Sequence, residues 1–529
     1  MSFQTPVSKC TTIIPSLGEL QGLQYANGVQ QFCGISYAEL TKRWTRSTLK
    51  TVWEGSRHDG TKLGNSCPHS ESGEDTNDLV PVPPAAHLSY PPEVGELSSL
   101  VMNIVIPSKP KNHNQRYPVM VYVHGGSLLY GGANLPIFDA VNLVSQSIKM
   151  GTPIICVNFN YRVGVGGFLA SKEIQRELRE DGFQGCGNFG FTDQQLAFEW
   201  VQRYIDALGG DSNNVTAVGE SAGGISISNQ LAAASPPHFR RAACMSGLSV
   251  SIPPWTMEQH EALFEAVCRY FQIDSTRPDV LDHLRQIPQQ MLADATPIIQ
   301  GVLSGTGNPC LDGWLYKSDT DPREIQTAPS WLDALMLGDT YHEGIIFHLN
   351  ILEDTFQSIR QTLAEYVGAE DETDQILAEY GISLDVPLGL VTKRVEHMCR
   401  DAVFKIPNYA MALANSHLAD KGALFCNALQ GTAYHAHELL YLFQNLTNEM
   451  DEREKVMAQD FAAAWSMFCN GQAPWTGGRR EWKIWGPESI QAVPTEEQDE
   501  ETRSYTRILY AADSLHGAWR DLEKMAFWC

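Results

Sequence analysis

The 529-residue sequence predicts an α/β fold with a mostly parallel central sheet, helices on both faces of it and a largely helical C-terminal half. Three observations carry that expectation. Val119-Met120-Val121-Tyr122-Val123 is an almost wholly apolar run, as expected of a strand covered on both sides inside a parallel sheet. Thr192 to Leu208 carries Leu196, Trp200, Val201 and Ile205 on one side at helical spacing. The run Val215 to Val218 then leads through Gly219-Glu220-Ser221-Ala222-Gly223 into a helix-forming stretch, Gly224 to Ala234. Strands alternating with helices imply crossover connections.

Taken in order, Gly18 to Gly22 and Val29 to Ile35 alternate polar and apolar residues around the turn-like Ala26-Asn27-Gly28, an antiparallel beginning. Residues 67–92, rich in Ser, Pro, Asp and Glu, read as a long surface loop. Leu100 to Pro107 and Pro153 to Asn158 read as further strands. Beyond about residue 250 the pattern becomes mostly helical, broken by Pro and Gly. The acidic run Glu496 to Glu501 reads as a solvated helix start. Neither an internal repeat nor a low-complexity segment stands out, so one domain spanning 1–529 is expected.

A net charge of −24 argues against nucleic acid and anionic membrane surfaces as partners. No apolar run approaches the roughly 18 residues that span a bilayer. Met1 to Cys10 is polar and lacks the pattern of a signal peptide. The 12 cysteines are scattered, which suggests neither a zinc site nor a dense disulfide framework. Together these imply a cytoplasmic, reduced protein with no metal site indicated. Oligomeric state is left open.

The chemistry centres on Gly219 to Gly223. A Gly-x-Ser-x-Gly pattern between strand and helix is a nucleophile elbow, a turn that lifts the Ser221 hydroxyl above the sheet edge. The helix that follows aims free backbone N–H groups at the same place. His124-Gly125-Gly126-Ser127 directly follows the Val119–Val123 run, and such a turn offers amides to an oxyanion, joined by the N–H of Ala222.

The chain resembles the type B carboxylesterases, the cholinesterase/carboxylesterase family of the α/β-hydrolase fold, and in particular intracellular microbial or fungal members. The resemblance rests on Phe32 to Ala38, Asn160-Tyr161-Arg162-Val163-Gly164 with Gly167-Phe168-Leu169, Gly187 to Gly190 with Asp193-Gln194, Gly209-Gly210-Asp211 and Val215 to Gly224. It implies an acyl-enzyme mechanism, needing no metal or cofactor, with Ser221 as nucleophile, His435 as base and Glu343 as the orienting acid, in the order Ser, acid, His. The oxyanion donors it implies are the amides of Gly126, Ser127 and Ala222. His437 and Asp339 are the alternatives for base and acid. Glu220, beside the nucleophile, belongs to the pattern without being the acid of the triad. Arg162 and Asp193 are expected in a structural charge network.

Three departures stand out. Ser127 replaces a glycine, so a hydroxymethyl group is expected to crowd the oxyanion hole or its rim. Ser99 replaces the partner of a disulfide that secreted members form from the position of Cys67. The loop from Cys67 to Ser99 contains no Trp, so choline esters are not expected substrates. The first functional reading is a serine carboxylesterase for apolar small-molecule esters. The second is a dedicated biosynthetic hydrolase, lactonase or acyl-transferring cyclase. The third is a catalytically dead binding protein on the same scaffold.

Overall fold

The computed structural model describes residues 4–494 apart from 71–81, 109–115, 236, 304–306, 318–321, 323–326, 352–353, 425–426, 429–430, 476–480 and 487–489. The apolar runs become strands, and among the described residues 13 strands join in one sheet. In chain order they are β1 (Pro6–Ile14), β2 (Gly18–Tyr25), β3 (Val29–Ser36), β4 (Arg57–Asp59), β5 (Val101–Pro107), β6 (Tyr117–Val123), β7 (Ile155–Phe159), β8 (Gly210–Glu220), β9 (Arg241–Met245), β10 (Ala334–Thr340), β11 (Ala419–Leu424), β12 (Glu481–Trp485) and β13 (Ile490–Pro494). Their spatial order is β1-β2-β3-β5-β7-β6-β8-β9-β10-β11-β12-β13, with β4 beside β2. Every neighbouring pair from β7 to β12 is parallel. Both ends of the sheet are antiparallel except for the short β4, which pairs with β2 in parallel.

Side chains on β6 alternate between two cores, as the two-residue period of a strand requires. Val119, Val121 and Val123 pack with Trp200, Val201 and Ile205 of the Phe189–Tyr204 helix and its 3₁₀ extension. Met120 and Tyr122 pack on the other side with Val144, Leu440, Phe461 and Trp465, which lie on three further helices. Registers such as Val121 with Val157 and with Ala217 stack apolar side chains across the centre. Helices therefore cover both faces, as the continuous apolar strands demanded.

Several strands exceed the sequence reading. β1 lies at the sheet edge with mostly exposed side chains, so its sequence carries little apolar signal. β8 begins at Gly210, five residues before the apolar run, because its first half is largely solvent-facing. β10 to β13 lie in the half expected to be mostly helical. Short runs such as Ala334-Leu335-Met336-Leu337 suit a buried helix as well as a strand, and only their neighbours decide between them. Trp475 and Trp485 are buried against the core. The 496–501 run lies outside the described residues. No described helix is long and apolar enough to cross a membrane. Nine described cysteines are free thiols, and Cys399 is disulfide-bonded.

Candidate active site

β8 ends at Glu220, and the Ala222–Leu231 helix begins two residues later. Ser221 bridges them with φ 54° and ψ −126°, a conformation that L-residues seldom adopt. The turn closes because Gly219 and Gly223 lack side chains: a Cβ on Gly219 would meet the Gly223 carbonyl carbon at 2.4 Å, and one on Gly223 the Val123 carbonyl oxygen at 2.0 Å. The Ser221 amide donates to the Met245 carbonyl at 2.8 Å, tying the elbow to β9.

The glycine turn after β6 presses against this elbow. A Cβ at Gly125 would lie 3.0 Å from Ser221 Cβ. The turn runs through three left-handed residues, Gly126, Ser127 and Leu128, with φ of 104°, 55° and 59°. Among the described residues neither the Gly126 nor the Ser127 amide has an acceptor, as oxyanion donors require. Ser127 is exposed, so its hydroxymethyl group sits on the rim and does not fill the hole.

Glu343 and His435, the expected acid and base, arrive on two loops stitched together. The His342 amide donates to the Ala433 carbonyl at 2.8 Å, and His342 bridges Tyr434. Glu343, just past β10, thereby meets His435, and its Oε2 lies 2.5 Å from His435 Nδ1. The other carboxylate oxygen accepts from the Ser246 hydroxyl at 2.7 Å and the Thr340 amide at 2.5 Å. Glu343 is 0% and His435 4% exposed. The Phe404 ring lies against the imidazole, centroids 5.0 Å apart.

Three buried carboxyls share this space. Burial alone would push Glu343 up, but the His435 charge and hydrogen bonds from His435, Thr340 and Ser246 hold it below the usual range. Glu220 has no such donors. Burial, then Glu438 and Glu343, push it well above the ordinary carboxylate value. Glu438 is pushed up by burial and by Glu343. Of the three, Glu343 is the one held toward its charged form, while Glu220 and Glu438 are held toward the neutral form. Glu220 Oε1 lies 3.2 Å from His435 Nε2, the nitrogen opposite the one that Glu343 holds. The Ser221 hydroxyl has no hydrogen-bond partner among the described residues, so in this geometry His435 Nε2 faces Glu220 and not Ser221.

The alternatives separate on geometry. His437 does not share a face with His435, because Ala436 turns the chain at φ 67°. It is buried between Tyr434 and Tyr441, and neither ring nitrogen has a partner among the described residues. Asp339 points to Lys405, its Oδ1 2.7 Å from the ammonium. Arg162 and Asp193 form the expected buried pair, with two contacts of 2.7 Å. Cys67 Sγ lies 3.2 Å from Ser99 Oγ, so the serine does stand where a disulfide partner would, and burial pushes the thiol up to about 12. Ser246, Phe404 and Lys405 escaped the sequence reading. Glu438 had a signal in its place three residues after His435, but these three had none.

Comparisons with known proteins identify the family. The profile of the carboxylesterase family matches residues 9–510. The chain is 27% identical to Lipase 3 of Yarrowia lipolytica over 92% of its length and 93% of that protein's. It is 28% identical to the para-nitrobenzyl esterase of Bacillus subtilis, with 85% and 88% covered. A solved thermophilic PNB esterase superposes with a TM-score of 0.74 at 26% identity, over 94% of this chain and all of that one (100%). The chain belongs to the carboxylesterase family, with its α/β-hydrolase fold, and is a carboxylic ester hydrolase.

Proposed function

We propose that the chain hydrolyses small apolar esters through an acyl-enzyme on Ser221. The observation that carries the proposal is the 2.5 Å contact of His435 Nδ1 with a buried carboxylate that accepts two further hydrogen bonds. An Nδ1–H donated to Glu343 leaves the lone pair on Nε2, the tautomer a general base needs. As substrate enters, Nε2 takes the Ser221 proton while Oγ attacks the ester carbonyl. Catalytic hydrogen bonds commonly tighten only in the substrate complex. The Gly126, Ser127 and Ala222 amides receive the oxyanion, and His435 returns the proton to the leaving alcohol. Water activated by the same nitrogen then releases the acid.

The relatives named lipase and para-nitrobenzyl esterase support this substrate class. Nine free thiols among the described residues support a cytoplasmic location and the Cys399 disulfide opposes it; a free Cys399 thiol in protein purified without reductant supports that location, and an intact disulfide refutes it. The proposal is tested with short aryl esters. Ser221→Ala should abolish turnover, and retained turnover refutes the nucleophile. Faster turnover of lactones or acyl thioesters than of aryl esters would refute the substrate class.

A further inference from the structure

We propose that Lys405 is a positioning residue for Glu343: its buried ammonium grips the Asp339 carboxylate and the Thr340 carbonyl, and so fixes the peptide whose N–H holds Glu343 against His435. The proposal rests on the Ser221–His435–Glu343 reading of the site.

Lys405 closes a single π-turn, Asp401–Lys405, set between the Leu388–Arg400 and Ile406–Ala414 helices. Such turns insert an extra residue and re-aim the side chains around them, frequently at functional sites. Here they send neighbouring side chains to both halves of the base–acid pair. Phe404 lies on the His435 ring, and Lys405 reaches the end of β10. The Lys405 ammonium and the Asp339 carboxylate are both 0% exposed, with Nζ 2.7 Å from Asp339 Oδ1 and 3.0 Å from the Thr340 carbonyl oxygen. One helical step on, Asn408 donates to the Gly338 carbonyl at 2.8 Å. Residues 338–340 are thus held one after another from this helix. The Thr340 amide between those grips donates to Glu343.

Stability does not account for the pair. Taking two charges out of water costs about what their attraction returns, and apolar replacements are often as stable. What a buried ion pair does supply is orientation and charge balance. Glu220 from the elbow already lies beside His435, and Glu438 from the 438–443 helix beside Glu343. His342, from the acid's own loop, pairs with Glu396, while Arg400 and Asp401 pair at the start of the π-turn. Lys405 neutralises Asp339, which would otherwise add a negative charge beside Glu343.

The test compares Lys405→Met, Asp339→Asn, the double variant and Glu343→Gln in the full chain, reading kcat, KM and the pH profile of aryl ester hydrolysis. Losing the cation makes the site more negative and favours protonated His435. Lys405→Met should therefore lower kcat at least about tenfold, leave KM within about twofold and move the acid limb of kcat upward. Asp339→Asn keeps the cation and should move the limb downward. The double variant should return the limb to its original place while kcat stays low, because the Thr340 carbonyl has lost its grip. If Glu343→Gln is inactive while folded Lys405→Met keeps its kcat, or loses kcat without moving the limb, the positioning role is overturned. If Glu343→Gln stays active, the triad reading itself is what fails. Should Lys405→Met not fold, the downward shift in Asp339→Asn decides: its presence supports the role, and its absence overturns it.

Discussion

Replacing Glu343 by Gln should disable the enzyme almost completely without disturbing its fold. Glu343 Oε1 accepts from two donors, the Ser246 hydroxyl and the Thr340 amide, so a glutamine must place its carbonyl oxygen there. Its NH₂ then faces His435 Nδ1, which must accept in place of donating. The imidazole proton moves to Nε2, the nitrogen that has to take the Ser221 proton. Holding a triad histidine in the wrong tautomer lowers kcat about ten-thousand-fold, or roughly 5 kcal/mol of transition-state stabilisation. KM should hardly change, because the lost interaction acts only in the transition state. Glu220→Gln is the internal contrast. Glu220 is held toward its neutral form by burial, Glu438 and Glu343. An uncharged replacement of the same shape should cost less than about tenfold. Steady-state hydrolysis of a p-nitrophenyl ester, with the melting temperature as a folding control, measures both variants. Equal losses in the two, or Glu343→Gln within tenfold of the parent, would refute the assignment of the charge to Glu343.

Three further outcomes follow from the same geometry. Burial lowers His437 to about 4 from its ordinary 6.5, so the unfolded chain takes the proton first, and stability present above pH 6.5 is lost as pH falls toward 4. His437→Phe should therefore reduce the acid destabilisation between those values by up to about 3 kcal/mol, read as the change in urea midpoint, and an unchanged pH dependence refutes it. Arg162→Met leaves Asp193 charged and unpaired at 0% exposure, and should cost about 3–5 kcal/mol in chemical denaturation while sparing activity per folded molecule. Ser127→Gly removes an exposed side chain from a left-handed position, so aryl ester kcat should stay within about threefold because the amide is the donor. A much larger loss would mean that the hydroxyl itself contacts the reacting atoms.

How much of this was legible in the sequence depended on how local each feature is. The elbow is written in five consecutive residues whose glycines are required by contacts within the turn itself. β6 and β7 are apolar because they are covered on both faces, so burial left its mark directly on the sequence. His435 and Glu343 lie 92 residues apart, and no periodicity links them. Only the motif contexts of the resemblance point to them, and those contexts also place both rivals close by. His437 was separated only by the left-handed turn at Ala436, and Asp339 only by Lys405, whose approach from a π-turn has no sequence signature. Ser246 matters because β9 ends beside β10, a neighbour relation that exists only once the sheet has formed.

The most direct measurement is covalent trapping with a fluorophosphonate, followed by peptide mass spectrometry of the full chain. One adduct per chain on the peptide containing Ser221, absent in Ser221→Ala and slowed by orders of magnitude in His435→Ala, is the expected result. An adduct on another residue, or labelling that does not depend on His435, would contradict the claim that these two side chains form one nucleophile.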